Sequence, residues 1–169
     1  MCGIVGYIGT QQASKIILNG LEKLEYRGYD SAGMAIYDGS KIMITKAVGR
    51  LKALDEITHG GETMPGNAGI GHTRWATHGV PNHVNSHPHF NTEETIAVVH
   101  NGIIENYIPL REKLIKRGYK FVSDTDTEVI AHLLDYYYKG NPLETITKVL
   151  HRVEGSYAFG IMFADQPDE

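Results

Sequence analysis

The chain begins Met1-Cys2-Gly3-Ile4-Val5-Gly6-Tyr7-Ile8, and the apolar run from Ile4 predicts a short buried strand directly behind a cysteine. Cys2 is the single cysteine among the 169 residues. Free cysteines are often small buried hydrophobes, which is one interpretation of this residue. In the other, removal of Met1 leaves Cys2 with a free α-amine, whose ordinary pKa is about 7.7–8.0, and this amine takes the thiol proton. Position alone leaves both interpretations open.

Strands and helices alternate irregularly along the rest of the sequence. Thr10 is expected to cap a helix over residues 11–24, and Asp38-Gly39 is typical of a hairpin turn between strands at residues 33–37 and 41–48. Further predicted strands cover residues 68–73, 95–100, 119–122 and 157–163, and further helices cover residues 50–57, 107–117, 126–139 and 142–153. Because strand pairs and a hairpin mix with helices, an α+β layered domain is favoured over a doubly wound parallel sheet.

The composition excludes several classes of protein. Sixteen Lys and Arg stand against 20 Asp and Glu without a long run of one sign, which argues against nucleic acid or an anionic membrane as the main partner. No stretch is long and apolar enough to span a bilayer, and the N-terminus lacks the features of a secretory signal. A single cysteine forms no internal disulfide, so a reducing, cytoplasmic location is expected.

The sequence stops shortly after the predicted strand at residues 157–163. A domain that ended there would leave a sheet edge bare, and bare edges invite aggregation. We therefore expect residues 1–169 to be one incomplete domain, with further strands missing or with a partner covering that edge.

Residues 71–89 form a long polar segment with the only tryptophan and five of the nine histidines. Loops of this length without secondary structure tend to be functional or disordered. A metal site is one possibility, although the spacing matches no zinc signature. Its candidate ligands are His72, His78, His83, His87 and His89. Arg74, next to Trp75, suits either a surface ion pair or, in a closing loop, a bidentate clamp on a carboxylate.

Two other short segments carry candidate site residues. Asn101-Gly102 follows an apolar strand and, taken alone, is most simply a turn. The same pair offers an amide and a backbone N–H for an oxyanion hole, in which losing one donor typically costs about 2.7–4 kcal/mol. The run Ser123-Asp124-Thr125-Asp126-Thr127-Glu128 suits a helix cap, but one of its acids is equally able to hold a substrate ammonium.

Together these segments resemble the N-terminal-nucleophile, or class II, glutamine amidotransferases over essentially the whole chain. The residues that carry the resemblance are Met1 to Gly6, Leu24 to Gly33, Gly71 to Gly79, His100 to Gly102 and Ser123 to Glu128. Within the family, the segments around Arg27-Gly28 and Arg74-Trp75 are most similar to the branch that transfers ammonia to fructose 6-phosphate. The resemblance implies a four-layer αββα N-terminal-nucleophile hydrolase fold that uses neither a metal nor another cofactor.

The resemblance also implies a role for each candidate residue. Cys2 is the nucleophile and general base, and Asn101 with Gly102 forms the oxyanion hole. Arg74 binds the α-carboxylate of L-glutamine, and Asp126 binds its α-ammonium. The loop that closes over glutamine contains Trp75, Thr77 and His78. His87 supports that loop.

Further expectations concern the full-length protein. The family's sugar-phosphate isomerase domain is absent from residues 1–169, so we expect glutamine hydrolysis alone, with fructose 6-phosphate bound only by that missing domain of a homo-oligomer. Retained Met1 would make the Cys2 nitrogen a peptide amide that cannot act as base. The alternatives are an amidotransferase serving another acceptor, a glutamine-binding domain without turnover, and a metal-dependent hydrolase that uses the histidines.

Overall fold

The computed structural model describes residues 2–76 and 79–168, which form two antiparallel sheets and five helices. The first sheet has the order β1-β4-β2-β3, with strands β1 (Gly3–Ile8), β2 (Ser31–Tyr37), β3 (Ile42–Val48) and β4 (Ala68–Arg74). The second has the order β5-β6-β7, with strands β5 (His89–Phe90), β6 (Ile96–Ile104) and β7 (Gly155–Phe163). The helices are α1 (Ala13–Leu24), α2 (Leu51–Ile57), α3 (Tyr107–Lys116), α4 (Glu128–Tyr137) and α5 (Pro142–Leu150).

Three apolar cores stack these elements into four layers. One core joins α1 and α2 to the first sheet, the second lies between the two sheets, and the third joins the remaining helices to the second sheet. Strand β6 shows how the sequence builds this order. Ile96 and Val98 belong to the helix-side core while Ala97 and Val99 belong to the core between the sheets, because successive side chains of a strand point to opposite faces. The α+β, four-layer αββα prediction is confirmed.

Two local sequence signals behave as expected, namely the turn at Asp38-Gly39 and the helix start at Pro142. Asp38-Gly39 connects β2 and β3, which pair from Ser31↔Val48 to Tyr37↔Ile42. Asn141 caps α5, since its side chain accepts a hydrogen bond from the Glu144 N–H at 2.9 Å. Within the described part of the chain, no helix has the length and apolar character to cross a bilayer.

Two predicted helix starts and one predicted strand are wrong. Helix α1 begins behind Gln12 rather than Thr10, and no side chain caps it. Helix α4 begins at Glu128 rather than residue 126. Residues 119–122 are not a strand, because side chains rather than a neighbouring strand bind this segment. The Tyr119 hydroxyl donates to Asp135, and the Val122 N–H donates to the Glu128 carboxylate.

Asn101-Gly102 is not a turn, which corrects the simplest interpretation of that dipeptide. Strand β6 continues through it to Ile104, four residues beyond the predicted end. The extension pairs with β7, where Asn101 faces Ala158 and Gly102 faces Tyr157. Strand pairing has therefore overridden the local turn preference of Asn-Gly.

Candidate active site

One cleft of about 380 Å³ brings together seven of the nine predicted site residues. These seven are Cys2, Arg74, Trp75, His87, Asn101, Gly102 and Asp126. They come from the start of β1, the end of β4, the segment before β5, the middle of β6 and the segment before α4. Both sheets and one helix start therefore contribute to the cleft. Thr77 and His78 lie outside the described residues.

Cys2 lies ahead of β1, half-buried at the cleft, rather than in the core of the first strand. The Trp75 N–H donates to Cys2 Sγ at 3.2 Å, and the thiol donates to the Trp75 carbonyl at 3.5 Å. Burial raises the pKa of the Cys2 thiol, and the hydrogen bond from the Trp75 N–H offsets part of that rise. Because the thiolate is the nucleophile, a thiol in this setting needs a base beside it to react.

Asn101 and Gly102 place polar groups next to Cys2 from the middle of β6. Asn101 Nδ2 donates to the Cys2 carbonyl oxygen at 2.9 Å, so the amide nitrogen is directed at the residue that carries the thiol. Gly102 has φ +130°, and a Cβ there would lie 2.1 Å from the Ser156 carbonyl oxygen of the paired strand. A side chain at this position is therefore excluded by both conformation and space.

Arg74 ends β4 with a buried side chain, which rules out a surface ion pair. Its guanidinium donates to the Gly79 carbonyl at 2.9 Å and to the Val80 carbonyl at 3.5 Å, and lies 3.9 Å from the Asp30 carboxylate. The side chain is 3 % exposed. Asp30 also accepts hydrogen bonds from the Ala76 N–H and the Ser31 hydroxyl. The arginine thus ties the segment that follows β4 to the wall of the cleft.

Asp126 supplies a carboxylate to the same cleft. Its Oδ2 accepts from the Ile104 N–H at 2.8 Å, so this acid is bonded to β6 and does not cap α4, whose start at Thr127 lacks a side-chain cap. Asp126 is 3 % exposed. A buried guanidinium and a buried carboxylate in one cleft have the charges that complement the α-carboxylate and α-ammonium of an amino acid.

Buried histidines form the floor behind these residues. The rings of His72 and His87 stack at 4.1 Å, and His89 meets His87 edge-on at 4.7 Å. His72 Nε2 donates to the His100 carbonyl at 2.9 Å. Burial lowers the pKa of His72 to about 3 and lowers the pKa values of His87 and His89 well below the ordinary value, so all three are neutral near pH 7. Among residues 2–76 and 79–168, no three His, Cys, Asp or Glu side chains are grouped to hold a metal ion.

Four residues of the cleft had no predicted role: His100, Ile103, Thr127 and Ser156. His100 and Thr127 adjoin the predicted site residues Asn101 and Asp126 in sequence, and that adjacency was the only signal that could have identified them. The sequence gives no signal for Ser156, because only the pairing of β7 with β6 brings it opposite Ile103.

Comparison with known proteins agrees with this geometry. The family described as glutamine amidotransferase domain matches residues 72–168. Glutamine–fructose-6-phosphate aminotransferase [isomerizing] of Caldanaerobacter subterraneus subsp. tengcongensis is 60% identical over 99% of this chain and 28% of that protein. The protein of the same name from Clostridium tetani is 60% identical over 100% of this chain and 28% of its own length. The chain therefore spans about 28% of the length of the curated relatives it matches.

Solved structures share the fold. Glutamine phosphoribosylpyrophosphate amidotransferase from B. subtilis, complexed with ADP and GMP, gives a TM-score of 0.83 at 29% identity over 97% of this chain and 35% of that one. A structure described as the allosteric regulatory enzyme of purine biosynthesis gives 0.83 at 32% identity over 97% of this chain and 36% of that one. With a family match over more than half of its residues and these shared folds, the chain belongs to the glutamine amidotransferase domain family.

Proposed function

We propose that this chain hydrolyses the side-chain amide of L-glutamine to glutamate and ammonia through a thioester on Cys2. One observation carries the proposal, namely that Cys2, Arg74, Asn101 and Asp126 all line a single cleft. Glutamine held through its α-carboxylate by Arg74 and through its α-ammonium by Asp126 presents its side-chain amide to the thiol. Holding the reactants in this way turns attack into an effectively unimolecular step.

Removal of Met1 is required for the chemistry. The free α-amine of Cys2 then accepts the thiol proton, and the thiolate attacks the amide carbon. Asn101 and Gly102 stabilise the negative oxygen that forms. The carbon–nitrogen bond breaks as the protonated α-amine of Cys2 returns its proton to the leaving nitrogen, which departs as ammonia. Water, deprotonated by the same amine, attacks the thioester carbon, and the carbon–sulfur bond breaks to release glutamate and the thiol.

The segment after β4 closes over the bound substrate. Arg74 supports this proposal, because the guanidinium that would bind glutamine also holds the Gly79 and Val80 carbonyls. Substrate binding at Arg74 is thereby coupled to the position of the segment that contains Trp75, Thr77 and His78, while His87 supports it from the floor. Closure keeps water from the reaction and ammonia from bulk solvent.

In the full-length protein, we propose that the ammonia converts fructose 6-phosphate to glucosamine 6-phosphate on a sugar-phosphate isomerase domain. The support is the name shared by relatives at 60% identity, of which this chain spans 28%. Residues 1–169 then form part of the glutamine-hydrolysing domain of a cytoplasmic homo-oligomer.

The test combines intact mass with glutamate release on one purified sample. A chain that lacks the mass of Met1 is expected to produce glutamate from glutamine, and Cys2→Ala is expected to abolish that production. Ser40→Ala, on the exposed β2–β3 turn, is the matched control and is expected to keep full activity. Full activity of Cys2→Ala would refute the mechanism. If a processed chain is thermally stabilised by glutamine but releases no glutamate, the chain is a glutamine-binding domain without turnover.

A further inference from the structure

Thr127 is a buried threonine of the cleft that the proposed reaction does not use. Its hydroxyl oxygen lies 3.0 Å from His87 Nε2 and 2.9 Å from His100 Nδ1, and the residue is 0 % exposed. A hydroxyl has one hydrogen to donate and lone pairs that accept. Thr127 donates to at most one of these imidazoles, so at least one ring N–H donates to the hydroxyl, and both rings are hydrogen-bonded to this one oxygen.

The position of Thr127 joins three segments that carry site residues. It follows Asp126 directly in sequence, while His100 precedes Asn101 on β6. His87 comes from a third segment, ahead of β5. The hydroxyl thus bonds the segment that holds the substrate-binding carboxylate to the strand that holds the oxyanion amide. Together with the bond from the Ile104 N–H to the Asp126 carboxylate, it fixes residues 126–127 against β6 at two points.

The two sides of this connection are held by different kinds of hydrogen bond. Asn101 and Gly102 are held in β6 by pairing with Ala158 and Tyr157 of β7. Residues 121–127 belong to neither a strand nor a helix. We therefore expect loss of the Thr127 bonds to shift Asp126 rather than the oxyanion residues.

We propose that Thr127 is a positioning residue, whose hydroxyl between His87 and His100 holds Asp126 at the place where it binds the α-ammonium of glutamine. The inference rests on the proposed glutamine hydrolysis, and Thr127 itself touches none of the reacting atoms. An interaction with the α-ammonium is made equally in the ground state and the transition state. Its loss therefore raises KM for glutamine while kcat stays nearly unchanged.

The experiment compares three substitutions in steady-state glutamate release by the processed chain. Thr127→Val keeps the shape and removes the hydroxyl, and we expect it to raise KM roughly tenfold or more with kcat within about threefold. Thr127→Ser keeps the hydroxyl and is expected to retain KM within about threefold of the parent. Thr58→Val is the matched control, because Thr58 is equally buried but donates to Leu54 away from the cleft. It is expected to leave both constants unchanged.

The outcomes separate this inference from the proposed function. A parent chain without Cys2-dependent glutamate release refutes the proposed function. In an active parent, a Thr127→Val variant with parental KM, or one that loses kcat alone, overturns the positioning role. So does a Thr127→Ser variant as impaired as Thr127→Val. If the valine variant does not fold, Thr127→Ala supplies the same comparison with less bulk, and the same KM increase is expected.

Discussion

Acid is expected to unfold this domain steeply, because its cleft is built on neutral histidines. His72, His87 and His89 are at most 6 % exposed and pack against one another. Burial lowers the pKa of His72 to about 3 and the pKa values of the other two well below the ordinary value. As the pH falls below about 6.5, the unfolded chain binds protons at these three positions and the folded chain does not. Stability present at neutral pH is therefore lost toward acid.

The magnitude follows from proton linkage. Three protons bound by the unfolded state alone give a slope that approaches about 4 kcal/mol in the free energy of unfolding per pH unit below about pH 5.5. A domain with a stability of roughly 5–15 kcal/mol loses most of it within a few pH units. Burial opposes ionisation of Glu128, but hydrogen bonds from His132, Ser123 and Val122 lower its pKa to about 2. Its contribution is present above its ordinary pKa of 4.5 and is lost only between 4.5 and 2, below the pH range of the assay.

The assay is urea unfolding, followed by far-UV circular dichroism, at intervals between about pH 7.5 and 4.5. His72→Gln keeps a side-chain N–H for the His100 carbonyl and removes one titrating group, so the slope is expected to fall by about a third. His151→Gln, at the exposed end of α5, controls for loss of a histidine as such. A parental slope near 1 kcal/mol per pH unit below about pH 5.5, or equal reductions in both variants, would refute the neutral-histidine argument.

Three further substitutions probe the site and the core. Asn101→Ala is expected to lower kcat for glutamine roughly 10²–10³-fold with little change in KM, measured as glutamate release; a KM effect alone would contradict an oxyanion role. Gly33→Ala would place a Cβ 2.0 Å from the His87 carbonyl oxygen, so the urea midpoint is expected to fall by the equivalent of about 1–3 kcal/mol, and an unchanged midpoint counts against this packing. Burial lowers the pKa of Lys46 from 10.5 to about 8, although Glu128 opposes the shift. Below pH 8 the folded state therefore holds a charge that it disfavours, and Lys46→Met is expected to stabilise the chain by about 3 kcal/mol at neutral pH. The gain should shrink between pH 8 and 10.5, and a gain that is independent of pH would refute the charge argument.

The sequence predicts the elements whose signals are local. Asp38-Gly39 specifies a hairpin, and Pro142 marks a helix start, whatever surrounds them. Residues 119–122 have the aromatic and β-branched composition of a strand, yet no strand pairs with them, because the Glu128 carboxylate binds the backbone of Val122 and Ser123. Asn101-Gly102 has the composition of a turn, yet β7 pairs with it. Both errors arise where a hydrogen-bond partner outside the segment decides the backbone.

The site residues were predicted from family resemblance rather than from periodicity. Patterning places Cys2 before one strand and Asn101 at the end of another, but only the stacking of the two sheets brings the Asn101 amide to the Cys2 carbonyl. From the floor of the cleft, the resemblance assigned a role to His87 but none to Thr127, with which it is hydrogen-bonded. The role of Thr127 depends on two histidines that are distant in sequence, and no linear spacing signals that arrangement.

The histidines around the cleft also bear on which group activates the thiol. A cysteine nucleophile is commonly paired with a histidine base, and two histidines line this cleft. Among the described residues, however, Cys2 Sγ makes hydrogen bonds to the Trp75 backbone alone, and His87 and His100 each direct a ring nitrogen at Thr127. Burial leaves His87 with a pKa far below that of the thiol, whose own pKa burial has raised, so this imidazole is a poor acceptor for the thiol proton. An α-amine with an ordinary pKa of about 7.7–8.0 is a far better match. The proposed hydrolysis therefore depends on removal of Met1, and His87 serves it by supporting the site without carrying charge.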